Sequence, residues 1–277
     1  MHYSKQQKHP LNLIGLLLLL LVFVGVGNIS AQDKSAASVY NEALAKLKAK
    51  DYEAGYPLME EALKAAESEG NEKVLGLAKK NGAKAAYNLG ASKRKAKAYD
   101  EALTLFDRGI ELNPEYSSNY MGKAQALDSK GAKVEAVSAF LAAADLASAA
   151  DKADRAAQLT KKASSIVGKL YTGKTYDKAI EAGKAFLAVK DNANVHYYLA
   201  KSLEKKKDMA TASTHILKAV ELAEASGTAV PDKYYWAKGN ILEANQQKQQ
   251  ALDAYKKISG EKYKANADYK IKELGGS

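Results

Sequence analysis

Alanine and phenylalanine stand one helical turn apart at Ala102 and Phe106, and the pair returns at Ala136 and Phe140, 34 positions on. A period of roughly 20 to 50 residues marks a chain that stacks one supersecondary unit many times, so it limits the fold more than any composition does. The small residues Gly90, Ala102, Ala124, Ala136 and Gly239 let two helix backbones come close. The bulky Leu89, Phe106, Leu127, Phe140, Leu203, Ile216, Leu242 and Tyr255 fill the space beside them. One such hairpin cannot bury its apolar face alone, so stacking is compulsory. The chain has only four prolines in 277 residues, which favours long helices. No alternation of strand period runs through it, and the fold class expected is all-α.

Leu89-Gly90, Tyr99, the Ala102/Phe106 pair and Pro114 together resemble the tetratricopeptide repeat, a helix–turn–helix unit of about 34 residues. The Trp and Tyr of the motif's first helix are replaced here by Ala86 and Lys93. Anchors at Gly55, Ala102, Ala136, Ala179, Ala212 and Ala251 are spaced 47, 34, 43, 33 and 39 apart. The resemblance implies an α-solenoid of about six repeats, at 36–69, 83–116, 117–150, 160–192, 193–226 and 232–265, with a capping helix at 266–274. The excesses of 13, 9 and 5 residues over the ideal period are expected to be helical. Segments 71–85 and 151–162 therefore read as helix extensions. The first unit has Gly55 in place of the anchor alanine, and the fourth has Gly183 where a bulky residue belongs.

Residues 1–31 read as a signal peptide. Lys5 and Lys8 precede a 15-residue apolar run at 13–27, and the small exit Asn28-Ile29-Ser30-Ala31 follows. The run falls short of the ~20 residues a membrane span needs. Cleavage after Ala31 leaves the solenoid domain, 32–277, starting at Gln32 with a net charge of +8. The membrane then matters only through the signal peptide, and the location expected is periplasmic or secreted, as in exported bacterial members of the family. Cysteine is absent, so no disulfide, thiolate metal site or lipidated N-terminal cysteine can form.

Little catalytic chemistry is visible. Beyond the leader there are two histidines, His196 and His215, with no third ligand at metal-site spacing. His196 is expected to pack and His215 to face solvent. No phosphate loop or nucleophile elbow is present. The reading is non-enzymatic, with no cofactor. Arginine occurs only at Arg94, Arg108 and Arg155, and no arginine-rich arm suggests a nucleic-acid partner.

What remains is surface. In tetratricopeptide proteins, repeat positions 2, 5, 9, 12 and 13 of the first helix line a concave groove that holds extended peptides. The resemblance maps those thirty positions onto eight basic, three acidic and five aromatic residues here. The candidate groove residues are Tyr40, Tyr87, Arg94, Lys95, Tyr171, Tyr197, Lys201, Trp236 and Asn240. They suit a protein or peptide partner that is acidic and extended, with rings as anchors. The other reading of the rings is packing between neighbouring repeats. The family's clamp for a C-terminal carboxylate is missing, because Tyr40, Leu44, Tyr87 and Ala91 hold its places. The function expected is an interaction scaffold in the bacterial cell envelope. The alternative is a charge-driven module for an anionic envelope polymer such as cell-wall glycan or lipopolysaccharide.

Overall fold

The computed structural model describes residues 34–275. The leader and its cleavage site lie outside the described residues. Thirteen helices follow one another, with no strand among the described residues. Six antiparallel hairpins are formed by α1 (Ala36–Lys48) with α2 (Tyr52–Glu69), α3 (Glu72–Lys95) with α4 (Tyr99–Leu112), and α5 (Ser117–Lys130) with α6 (Lys133–Ala149). The series continues with α7 (Ala153–Thr172) and α8 (Tyr176–Leu187), α9 (Ala193–Lys205) and α10 (Met209–Ala225), and α11 (Asp232–Ala244) and α12 (Lys248–Lys256). The last helix, α13 (Glu261–Glu273), caps the stack. This is the all-α solenoid of stacked helical hairpins that was expected.

Each hairpin turns in the same way. One residue just past the first helix takes a left-handed backbone: Lys50, Lys97, Gly131, Lys174, Lys207 and Gln246 in turn. The next amide then reaches back five residues, as in Asp51 N–H to the Lys46 carbonyl at 3.0 Å and Gln247 N–H to the Leu242 carbonyl at 2.8 Å. That bond satisfies a helix-end carbonyl that would otherwise be orphaned. Five of the six left-handed residues are not glycine, and these accept the backbone cost in order to close the turn. Short polar side chains start several helices. Asp51, Asn71, Asn192 and Asp208 each accept a hydrogen bond from the amide three residues on.

The core is a continuous seam of small and large residues. The anchors Ala102, Ala136, Ala179, Ala212 and Ala251 are wholly buried, as are Phe106, Phe186, Ile216 and Tyr255. A methyl added at Gly90 would lie 2.8 Å from the Phe106 ring, and one at Gly122 would be closer still. The ring thus sits in a notch shared by α3 and α5, the first helices of two repeats. In the fourth unit Leu199 lies beside Gly183 and Phe186 is wholly buried, so the bulky residue is displaced by three positions rather than lost.

The long intervals resolve in two ways. The two largest are absorbed by helix: α3 runs to 24 residues and α7 to 20. The third is not helical, contrary to expectation. Its extra residues lie between the end of α10 and the start of α11, where Gly227 is left-handed and Pro231 is extended, and neither suits a helix interior. The cap also departs from the expected 266–274. It begins at Glu261, where Gly260 breaks the chain and donates its amide to Asp232 at 2.6 Å.

The first helices touch one another along the stack: α1 with α3, α3 with α5, α7 with α9, and α9 with α11. A row of elements in mutual contact lies on the inside of a curve, so these helices form the inner face. One junction is different. Between the third and fourth hairpins, α6 packs on both α7 and α8, while α5 and α7 part and are bridged by Arg155 Nη2 to Met121 Sδ at 3.5 Å.

Gly122→Ala should destabilise by about 1–3 kcal/mol, because the Phe106 ring has no room to retreat. Gly76→Ala, mid-helix with open space around it, should stabilise by about 0.5–1 kcal/mol. Chemical denaturation of the two variants checks the pair.

Candidate functional site

The inner face carries a row of rings that cross the repeat boundaries. Tyr171 on α7 meets Tyr198 on α9 at 5.8 Å between centroids. Tyr197 on α9 meets Tyr234 on α11 at 4.9 Å and its neighbour Tyr198 at 5.2 Å. Trp236 on α11 stacks on Tyr263 of the cap at 6.0 Å. Tyr171, Tyr197 and Trp236 are half-buried, which leaves part of each ring open. The Lys233 ammonium lies over this cluster, 5.1 Å from Tyr197, 5.5 Å from Tyr234 and 5.9 Å from Tyr198. Burial raises the phenol pKa of Tyr197 and of Tyr171, and pushes that of Tyr234 up to about 12. These hydroxyls stay protonated at physiological pH, and that of Tyr234 already donates to Asn194 Oδ1 at 2.9 Å.

The remaining candidates are placed less uniformly. Tyr40 is buried, and its hydroxyl accepts a bond from the Asn81 amide of α3 at 2.7 Å, so it is an inter-repeat contact. Tyr87 packs between Phe106 at 6.1 Å and Tyr116 at 6.2 Å. Arg94 is half-buried with its Nε unpartnered, and Lys95 is exposed. Lys201 is paired with Glu204, and both side chains are largely covered, so it is not the free cation it was expected to be. Asn240 accepts from the Tyr255 hydroxyl at 2.8 Å, which holds a core ring rather than facing a ligand.

The structure brings Gln125, Asp128 and Lys161, which the repeat positions selected, together with Lys162 and Lys169, which they did not. Where α5 and α7 part, an open cleft of about 500 Å³ is formed, with Phe140 and Ile166 in its lining. Lys161, Lys162 and Lys169 of α7 line one wall, and Gln125 and Asp128 of α5 the other. Asp128 is neutralised by Lys133, whereas the three α7 lysines have no acidic partner among the described residues. Lys162 and Lys169 lie one column over from the stripe that the resemblance predicts. Their separation of seven residues, two helical turns, was the available signal.

Of the two histidines, His196 packs as expected and His215 does not face solvent. His196 is buried, but His215 is half-buried rather than exposed, and the two Nδ1 atoms lie 2.9 Å apart. Asp191 meets His196 Nε2 at 3.2 Å. Among the described residues no group of three or more His, Cys, Asp or Glu could hold a metal ion.

No protein-family model matches the chain, and no curated protein matches it. Solved structures similar to it include PilF of Pseudomonas aeruginosa, 13% identical over 81% of this chain and 90% of that one, with a TM-score of 0.32. Another is the TPR2AB domain of yeast Sti1 in complex with pHSP90, 14% identical over 87% and 98%, TM-score 0.35. A thermophilic TPR protein of Thermus thermophilus is 14% identical over 87% and 98%, TM-score 0.29.

The histidine pair makes stability depend on pH. Burial first, then His196 and Lys184, holds His215 below its ordinary 6.5. Lys184 comes from α8 and His196 from α9, and Asp191 balances the far side of His196. The unfolded chain thus takes up the proton more readily than the folded one. Stability should be flat above pH ~6.5 and fall as the pH drops from there toward the lowered folded value. His215→Gln should flatten that part of the melting-temperature profile.

Proposed function

We propose that this chain is a non-catalytic scaffold that binds an extended, acidic segment of another protein along its inner face. The observation that carries the reading is the line of half-open rings from Tyr171 through Tyr198 to Tyr197, backed by the buried Tyr234, with the Lys233 ammonium above it. Rigid rings with protonated hydroxyls supply large contact area at low entropic cost. The neighbouring ammonium favours carboxylates. The stacked rings of Trp236 and Tyr263 extend the same row toward the cap.

The rings serve two ends in this reading. Their edges fix one repeat on the next, and their open faces are offered to the partner. The second reading, a charge-driven module for an anionic envelope polymer, draws on lysines that no acid among the described residues neutralises, such as Lys161 and Lys162. Salt separates the two. Polymer binding should collapse as ionic strength rises, and ring-anchored binding should fall less steeply. The apolar run and small-residue exit of residues 13–31 support export to the envelope.

Tyr197→Phe should keep the fold and weaken partner binding modestly, while Tyr197→Ala should remove about 2 kcal/mol or more of binding. Titration calorimetry with the partner captured from envelope extract measures both. If binding by folded Tyr197→Ala equals wild type, the ring serves only the seam. N-terminal sequencing of exported protein should begin at Gln32.

A further inference from the structure

The α5–α7 junction is the place where the inner row of helices is interrupted, and its chemistry differs from that of the ring-lined seams. Every other pair of successive first helices closes on itself. Here α7 instead buries Ala156 and Leu159 in the same apolar cluster as α6. The space left over is lined by Lys161, Lys162 and Lys169, none of them held by an acid among the described residues. Gln125 and Gln158 flank them. One turn before Gln158, Arg155 spans the gap to Met121 of α5, with an Nη2···Sδ distance of 3.5 Å and its Nε buried without a partner.

We propose that this cleft is an anchoring subsite for two acidic side chains, three residues apart, on an extended peptide. The proposal rests on the scaffold reading above and gives it a second point of attachment, away from the rings. Three observations select a peptide. Glutamine side chains both donate and accept, as a peptide backbone requires. The Phe140 ring is 4% exposed, so it offers no open face for a sugar to stack on. No forked guanidinium pair is present of the kind that favours phosphate.

The spacing follows from geometry. Lys162 and Lys169 lie on one side of α7, two turns apart, or roughly 10 Å along the axis. An extended polyproline-type segment has three residues per turn and rises about 3.1 Å per residue. Acids at positions i and i+3 therefore share one face, roughly 9 Å apart, in step with the two lysines. Adjacent acids would point to different sides and could not reach both. The cleft volume, about 500 Å³, lies within the roughly 300–1,000 Å³ used by small-ligand sites.

The test uses the folded protein from Gln32 onward and fluorescein-labelled glycine–serine peptides read by anisotropy. One peptide carries two glutamates three positions apart, and a second carries them side by side. The first should bind more tightly, and Lys162→Glu with Lys169→Glu should weaken it about tenfold or more. Lys79→Glu with Lys80→Glu, exposed on α3, matches the change in net charge and should leave binding within about twofold. Equal binding of the two peptides, or equal loss in both charge-reversed proteins, would overturn the subsite. So would tighter binding of polygalacturonate that is lost in parallel, because the cleft would then be a patch for anionic polymer. If Tyr197→Ala abolishes binding while the Lys162/Lys169 reversal leaves it intact, the ring-lined groove stands and the cleft does not.

Discussion

Phe106 belongs to one hairpin and is held by two. Its ring lies against Gly90 on the first helix of its own repeat and against Gly122 on the first helix of the next. A side chain at either glycine would force those helices apart, so their closeness is a direct consequence of two missing Cβ atoms. Tyr255 against Gly239 repeats the device at the far end, with its hydroxyl tied to Asn240 and Glu243. Contacts of this kind make each repeat's stability depend on its neighbour. Phe106 sets the distance between α3 and α5, and at α7 the missing Cβ of Gly168, 2.8 Å from the Tyr198 ring, plays the same part and lets Tyr171 reach Tyr198.

Much of this was legible in residue types at fixed intervals. Small residues recurring at intervals of 33 to 47 positions, most with a bulky partner a turn later, describe a close helix contact whatever the rest of the chain does. The turns were less visible. In five of the six hairpins a lysine or glutamine sits in the left-handed position where glycine would have announced it. The turn forms regardless, because the returning amide satisfies a carbonyl and the next helix is pulled back onto the stack. Lengths misled in one place. A spacing excess does not say whether the extra residues lengthen a helix or form a loop. Gly227 and Pro231 were the local signals that it forms a loop before α11.

The site was legible only in part, for a physical reason. Repeat positions identify which column of a helix faces inward, and they found Tyr171, Tyr197 and Trp236. They cannot tell whether a charge on that column is already answered. Lys201 is neutralised by Glu204 three residues on, and Asn240 is held by the Tyr255 hydroxyl. Nor can a repeat template foresee where the repeat fails. Lys162 and Lys169 become neighbours of Gln125 only because α5 and α7 part at that junction.

The two parts of the inner face therefore differ in what a bound segment would do to the scaffold. Along the ring-lined seams the first helices are already closed on one another, and a partner laid across them adds area to an existing contact. At the central junction the first helices part, and continuity of the stack passes through the packing of α6 on α7 and α8. A segment seated between α5 and α7 would supply the inner contact that the chain lacks. Binding there would stabilise the junction by an amount that grows with the logarithm of free segment concentration above its Kd. It would also relieve the mutual repulsion of lysines that no acid among the described residues answers. Electrostatics and stacking then act in the same direction at this junction, whereas at the seams stacking is complete before any partner arrives.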